Sequence, residues 1–263
     1  MQQAQDFANE SAALAELLMP LEDADFERAT LFKDWTINNI LRHLHVWNIA
    51  AARSIDGEYA FGVFMRELMG GERGRSFIAY EADYLDGLWG KELLSAWHEQ
   101  YVVLAAQYAA TDPKARLKWV GPDMSALSSV TARLMETWSH AQAIYDLLGV
   151  ERIDSDRIGN IVRLGVNTYG WTFKNRSEDL PGPMPRLRLT APSGAIWEYG
   201  DGEGLIEGKA TEFCQIVTQC RNSADTQLRV SGPVASRWMA IAQCFAGPPQ
   251  DPPPPGTRRI TVK

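Results

Sequence analysis

The chain holds four histidines, His43, His45, His98 and His140, and the last of them closes the pattern Glu136-Thr-Trp-Ser-His140. On a helix, positions four apart lie roughly 40° from each other and one turn apart, so this carboxylate and this imidazole can point at one ion. The spacing alone also fits a solvated surface pair, but the neighbouring residues argue against it. Leu127, Val130, Leu134, Trp138, Ala141, Tyr145 and Leu148 form an apolar stripe at three/four spacing. Ala132, Ala143, Ile144 and Leu147 bracket Glu136 and His140, and the polar side falls to Ser128, Ser139, Gln142 and Asp146. An ionised glutamate inside that apolar arc is costly without a partner. A divalent cation removes the cost, and so does an internal arginine, for which Arg133 or Arg42 is available. A third ligand falls to an earlier helix, where His43 and His45 point to nearly opposite sides and only one can serve. Both flank the stripe Ile40, Leu41, Leu44 and Trp47, so periodicity leaves the choice open. His98, beside Trp97 and Glu99, reads as a surface or core histidine.

The elements that must carry these groups are mostly helical up to Gly149. One helix is expected from Gln3 to Leu18, stopped by Met19-Pro20, and a second from the N-cap Thr36 to Asp56-Gly57. A third covers Val63 to Tyr84 with a break at Gly70-Gly71, and a fourth covers Lys91 to Ala110. The fifth begins near Asp123 or Ser125 and ends at Gly149, a position suited to a left-handed C-terminal residue. Four long helices joined by loops predict an antiparallel bundle over residues 1–150. A sixth helix, Asp156 to Lys174, leads into a different texture. Leu187-Arg-Leu-Thr-Ala and Ala195-Ile-Trp-Glu-Tyr-Gly flank a Pro192-Ser193-Gly194 turn as a hairpin. Strands at Leu205 and Gln227 then alternate with helices at Ala210–Arg221 and Val234–Phe245. Residues 151–250 are therefore expected to form a small α/β domain, and 251–263 a proline-rich, extended tail. The fold class is α+β.

Composition narrows the functions. With 26 Lys+Arg against 33 Asp+Glu the net charge is −7, and 45% of residues are hydrophobic against 22% charged, the balance of a globular chain. The acidic excess offers no basic field for phosphate, so nucleic acid is not an expected partner. No apolar run reaches the roughly 18 residues of a membrane span. Asp6, Glu10 and Glu16 occupy a region where a secretory signal would be basic and then apolar, so the expected compartment is the cytoplasm. Cys214, Cys220 and Cys244 are odd in number and read as small buried hydrophobes. Gly200-Asp-Gly-Glu-Gly204 lacks the Lys-Ser/Thr of a phosphate loop and reads as a turn, and Ser231-Gly232-Pro233 reads as a strand end. Nine tryptophans permit a homodimer interface as readily as a large core.

Asp34-Trp35-Thr36, Leu41-Arg42-His43-Leu44 and Met135-Glu136-Thr137-Trp138-Ser139-His140-Ala141-Gln142 resemble the motifs of the DinB-like metal-binding superfamily, in its branch of mycothiol-dependent maleylpyruvate isomerase. The resemblance implies a DinB-like four-helix bundle whose divalent metal is held by His43, rather than His45, with Glu136 and His140. Leu164-Gly165-Val166-Asn167-Thr168-Tyr169-Gly170-Trp171 and the run from Ala242 to Pro249 are similar to the extra domain of a two-domain subgroup, a small sterol-carrier-like α/β module.

Two imidazoles and one carboxylate leave open positions on a cation such as Zn²⁺, the pattern of a catalytic rather than a structural metal. Bound to such an ion, a low-molecular-weight thiol, mycothiol or glutathione in type, is held as thiolate. The resemblance implies that this thiolate attacks an electrophilic or unsaturated small acid, with isomerisation or S-transfer as the outcome. Arg163 and Arg237 are the catalytic candidates for holding an anionic substrate. Two other readings stay open: a metal-dependent hydrolase using bound water, and a non-catalytic small-molecule or lipid-binding protein with a structural metal.

Overall fold

The computed structural model describes residues 1–70 and 74–260, so Gly71 of the expected Gly70-Gly71 break and the last three residues of the tail lie outside it. The described chain divides into two compact units, Met1–Ile144 and Tyr145–Lys263. It is a mixed helical and sheet protein.

The first unit is built from α1 (Gln2–Leu18), α2 (Ile37–Asp56), α3 (Glu58–Leu68), α4 (Phe77–Tyr84), α5 (Gly90–Ala110) and most of α6 (Ala126–Leu148). The expected third helix is two helices. Gly57, at φ +119, separates α3 from α2, and Ser76 starts α4 by accepting the Ala79 N–H. α2 begins where Thr36 predicts: its hydroxyl accepts the Asn39 N–H at 3.2 Å while Asn39 Oδ1 accepts the Thr36 N–H at 3.0 Å. This reciprocal cap is worth about 1 kcal/mol and fixes the phase of the helix from its first turn.

Contacts along the helices give their directions. Arg133 of α6 donates from Nε to Asn48 Oδ1 at 3.0 Å, while His43 faces Glu136, so rising numbers on α2 meet falling numbers on α6 and the pair is antiparallel. Tyr108 near the end of α5 bonds Ser129 near the start of α6 at 2.6 Å, and α1 packs on α5. Leu14, Leu41, Leu44, Trp97, Leu104, Leu134 and Trp138 fill the space between these four helices with almost no exposure. Each such side chain contributes about 1.5–3 kcal/mol. Leu127, read as part of the apolar stripe, is 38% exposed instead, because it stands on the first turn of α6. Gln142 and Asp146, read as the polar side, are buried. A two-stranded ribbon, β1 (Arg116–Leu117) with β2 (Met124–Ser125), closes the α5–α6 connection.

Gly90 starts α5 at φ +61 and donates its N–H to Asn38 Oδ1 at 2.8 Å. A Cβ there would stand 2.3 Å from Asp23 Oδ1, which cannot retreat without releasing the Lys91 N–H it accepts at 2.8 Å. Gly90→Ala is therefore expected to cost about 1–3 kcal/mol, read as a lower urea midpoint. An unchanged midpoint would show that the turn relaxes freely.

The second unit contains the end of α6, α7 (Gly159–Asn167), α8 (Tyr169–Asn175), β3 (Pro185–Thr190), β4 (Ile196–Tyr199), β5 (Gly202–Lys209), α9 (Ala210–Val217), β6 (Arg229–Ser231) and α10 (Pro233–Ile241). α6 stops at Gly149, φ +67, with the Val150 N–H returning to the Tyr145 carbonyl, the left-handed cap expected there. The expected sixth helix is broken at Thr168, whose hydroxyl donates back to the Leu164 and Gly165 carbonyls. The sheet order is β4-β3-β5-β6, with β3 antiparallel to β4 and parallel to β5. The Gly202–Gly204 stretch, read as a turn, opens β5. β3 alternates buried Leu187 and Leu189 with exposed Arg186 and Arg188, and α9 packs on this strand with Phe213 and Val217 buried. The three cysteines are buried, as expected. The proline-rich segment is tied down: Asn222 donates to the Pro253 carbonyl at 2.9 Å and Arg258 to the Gln219 carbonyl at 2.6 Å. No described helix is long and apolar enough to cross a membrane.

Candidate metal centre

Three helices and one loop of the first unit bring the candidate residues together. His43 stands on α2, seven positions after the Thr36 cap, and Trp47 follows it one turn later. Glu136 and His140 stand one turn apart on α6, and Glu81 lies on α4. Glu136 Oε2 is 3.2 Å from His140 Nε2 and 3.7 Å from His43 Nε2. One ligand atom from each of the three residues lies within 4.8 Å of the others, the one such group among the described residues. Donors about 2.0–2.1 Å from a tetrahedral Zn²⁺ stand roughly 3.3–3.5 Å apart, so this set fits a divalent cation after small side-chain adjustments.

The loop before α2 covers one side. Lys33 and Asp34 adopt φ +53 and +58, turning the chain so that Thr30 pairs with Trp35 through its N–H at 2.8 Å and its hydroxyl at 2.9 Å. The Trp35 ring thereby stacks parallel on His140 at 5.8 Å and meets His43 edge-on at 5.4 Å, while Phe32 stands edge-on to His140 at 5.0 Å. The imidazoles are thus held between helix and aromatic wall, whereas the Glu136 side chain keeps 25% exposure.

Burial opposes charge on His43, yet its hydrogen bonds and attraction to Glu136 and Glu81 outweigh that and raise its pKa to about 9. Burial likewise opposes charge on Glu136, but His140 and His43 hold its carboxyl well below the ordinary value. His140 falls below its ordinary value, through burial first and the neighbouring His43 charge in addition, despite Glu136. The internal arginine weighed from sequence does not supply the partner. Arg42 Nε and Nη2 donate to the Leu88 and Gly87 carbonyls, and Arg133 donates to Asn48 and to the Leu44 carbonyl. Backbone and amide acceptors lie within reach of both guanidinium groups, and the imidazoles take the carboxylate.

Arg163 and Arg237 belong to the second unit. Arg163 is exposed on α7, and Arg237 on α10 is paired through Nε and Nη2 with the Glu178 carboxylate. His98 is exposed and stands edge-on to Tyr101.

Sequence reasoning missed Glu81. Its carboxylate Oε1 accepts from His43 Nδ1 at 2.8 Å and from Trp47 Nε1 at 3.0 Å, and the residue has no exposure. The signal was present in Phe77-Ile-Ala-Tyr-Glu81-Ala-Asp-Tyr, an acid among apolar helical neighbours, the same feature that singled out Glu136.

His45, on the other side of α2, is 7% exposed and its Nδ1 has no hydrogen-bond partner among the described residues. Burial lowers its pKa to about 4. Between pH 6.5 and 4 the unfolded chain binds this proton and the folded chain does not, so stability falls as pH falls through that window. The loss reaches about 2 kcal/mol at pH 5. His45→Asn should remove this component, seen as a smaller drop in urea midpoint between pH 7 and 5; identical drops in both chains would refute it.

A helix bundle with a converging, partly exposed His/Glu/His cluster is the class of protein this geometry defines. The chain belongs to the family described as mycothiol maleylpyruvate isomerase N-terminal domain, whose family model matches residues 7–145. Two uncharacterised proteins of Mycobacterium tuberculosis, from strains CDC 1551 / Oshkosh and ATCC 25618 / H37Rv, are each 34% identical over 246 residues, 93% of this chain and 95% of theirs. The fold is similar to the crystal structure of the mycothiol-dependent maleylpyruvate isomerase, with TM-score 0.57 and 14% identity, covering 89% of this chain and 95% of that one. A histidine-to-alanine mutant of that isomerase gives TM-score 0.54 and 16% identity, covering 82% and 87%.

Proposed function

We propose that this chain is a metal-dependent enzyme in which His43, Glu136 and His140 hold a divalent cation, expected to be Zn²⁺, and a low-molecular-weight thiol of the mycothiol type is the cosubstrate. The substrate is an electrophilic or unsaturated small acid, and the outcome is isomerisation or S-transfer. The convergence of the three donor atoms within 4.8 Å carries this reading, and membership of the isomerase family supports the thiol. When bound, the cation supplies Lewis acidity that keeps a thiol deprotonated at neutral pH.

The chain's own groups do the rest. His43 offers a neutral lone pair once its proton leaves, His140 is held neutral by burial, and Glu136 offsets charge between them. Trp35 and Phe32 keep water from one side of His140 and fix the plane of its ring. Arg163, exposed on α7, is assigned the carboxylate of the substrate; Arg237 can share that task only by releasing Glu178. The sterol-carrier-like character of the second unit is part of the same proposal.

The test is a screen of the Zn²⁺-supplemented protein with mycothiol or glutathione against cis-unsaturated acids. Product formation that requires both thiol and metal is expected. Turnover without thiol would replace this reading with a hydrolase, and a retained apolar ligand with no thiol-dependent turnover would replace it with a binding protein.

A further inference from the structure

Glu81 does not belong to the ligand set, yet its carboxylate is wholly buried and its Oε2 has no hydrogen-bond partner among the described residues. A buried carboxylate left half satisfied is expensive. Its other oxygen, Oε1, gathers two donors: Nδ1–H of His43 at 2.8 Å and Nε1–H of Trp47 at 3.0 Å. Trp47 lies one turn after His43 on the same face of α2, so a single oxygen of α4 is clamped between two side chains of one helix.

That contact decides which nitrogen of His43 can bind a cation. A neutral imidazole carries one proton. With Nδ1–H committed to a carboxylate, the lone pair is on Nε2, and Nε2 is the nitrogen that faces Glu136 Oε2 at 3.7 Å. Without the carboxylate the ring can carry its proton on Nε2, and its plane is left to the aromatic contacts of Trp35 and Trp47. His140 has no such support, since its Nδ1 lacks a hydrogen-bond partner among the described residues and its ring is held by Trp35 and Phe32 instead.

We infer that Glu81 is a positioning residue that sets the tautomer and orientation of His43 for cation binding. The inference rests on the reading of His43, Glu136 and His140 as a divalent-cation site. Its test is the affinity for Co²⁺, measured by chelator competition on the unaltered chain and on Glu81→Ala, Glu81→Gln and Trp47→Phe, with thermal midpoints alongside. Glu81→Ala is expected to weaken Co²⁺ binding about 10–100-fold. Glu81→Gln keeps an oxygen for the Nδ1–H but gives up the charge, and is expected to fall between that and the unaltered chain. Trp47→Phe leaves the His43 contact in place, so it should lower the midpoint while the affinity stays near the unaltered value. A role confined to packing would move the midpoints of all three variants and none of the affinities. Folded Glu81→Ala that binds Co²⁺ as tightly as the unaltered chain overturns the inference, and Glu81→Leu, which keeps the volume and has no acceptor, decides the matter in the same way if Glu81→Ala does not fold. An unaltered chain that fails to bind Co²⁺ overturns instead the reading on which the inference rests.

Discussion

Chains carrying His43→Ala, Glu136→Ala or His140→Ala are each expected to bind Zn²⁺ more than about 100-fold more weakly than the unaltered chain, since loss of an outer partner alone costs 10–100-fold and loss of a ligand costs more. All thiol-dependent turnover should disappear with the metal. The three variants should nevertheless differ in stability. His43→Ala strips one of two donors from the Glu81 carboxylate, which has no exposure, and leaves Trp47 as its partner. Glu136→Ala removes a partly exposed carboxylate. His43→Ala should therefore unfold at the lower urea concentration of these two. Unchanged Zn²⁺ affinity in any one variant would remove that residue from the ligand set.

Asp146→Ala is the second large effect, and it concerns the second unit. Asp146 Oδ1 accepts from Arg221 Nη2 at 2.7 Å, and both residues are buried. The alanine variant leaves a buried guanidinium without its counter-charge, which costs about 3–5 kcal/mol. Replacing both partners by apolar residues of similar volume, Asp146→Leu with Arg221→Met, removes the uncompensated charge and should recover most of that loss. Urea unfolding of the single and double variants checks this. A single variant within about 1 kcal/mol of the unaltered chain, the value typical of exposed pairs, would show that water reaches the pair.

Where one element carried its own signal, the sequence was legible. Thr36 and Asn39 announce the start of α2 through the side chains that cap it, and Gly149 announces the end of α6 by its backbone freedom. Glu136 and His140 stood out because helical periodicity placed both in an apolar arc. Periodicity could not choose between His43 and His45, which are two residues apart and both flank the core stripe; the family resemblance chose, and the structure places His43 beside Glu136 and His45 away from it. Long-range partners were the ones missed. Nothing within α4 says that Glu81 meets an imidazole thirty-eight positions earlier. Nothing within α6 says that Asp146 is buried against Arg221, so a side chain read as solvated is an internal ion pair. The third helix divided because α3 stops at Leu68 and the Ser76 cap starts α4 anew, which outweighs the apolar pattern.

The most direct test of a cation held by His43, Glu136 and His140 is an anomalous difference map from crystals of the chain grown with Zn²⁺. One strong peak per chain is predicted, about 2.0–2.2 Å from a nitrogen of each imidazole and an oxygen of Glu136, with at least one coordination position left to solvent or thiol. A map with no peak among these three side chains, in crystals where Zn²⁺ is bound elsewhere or not at all, would contradict it.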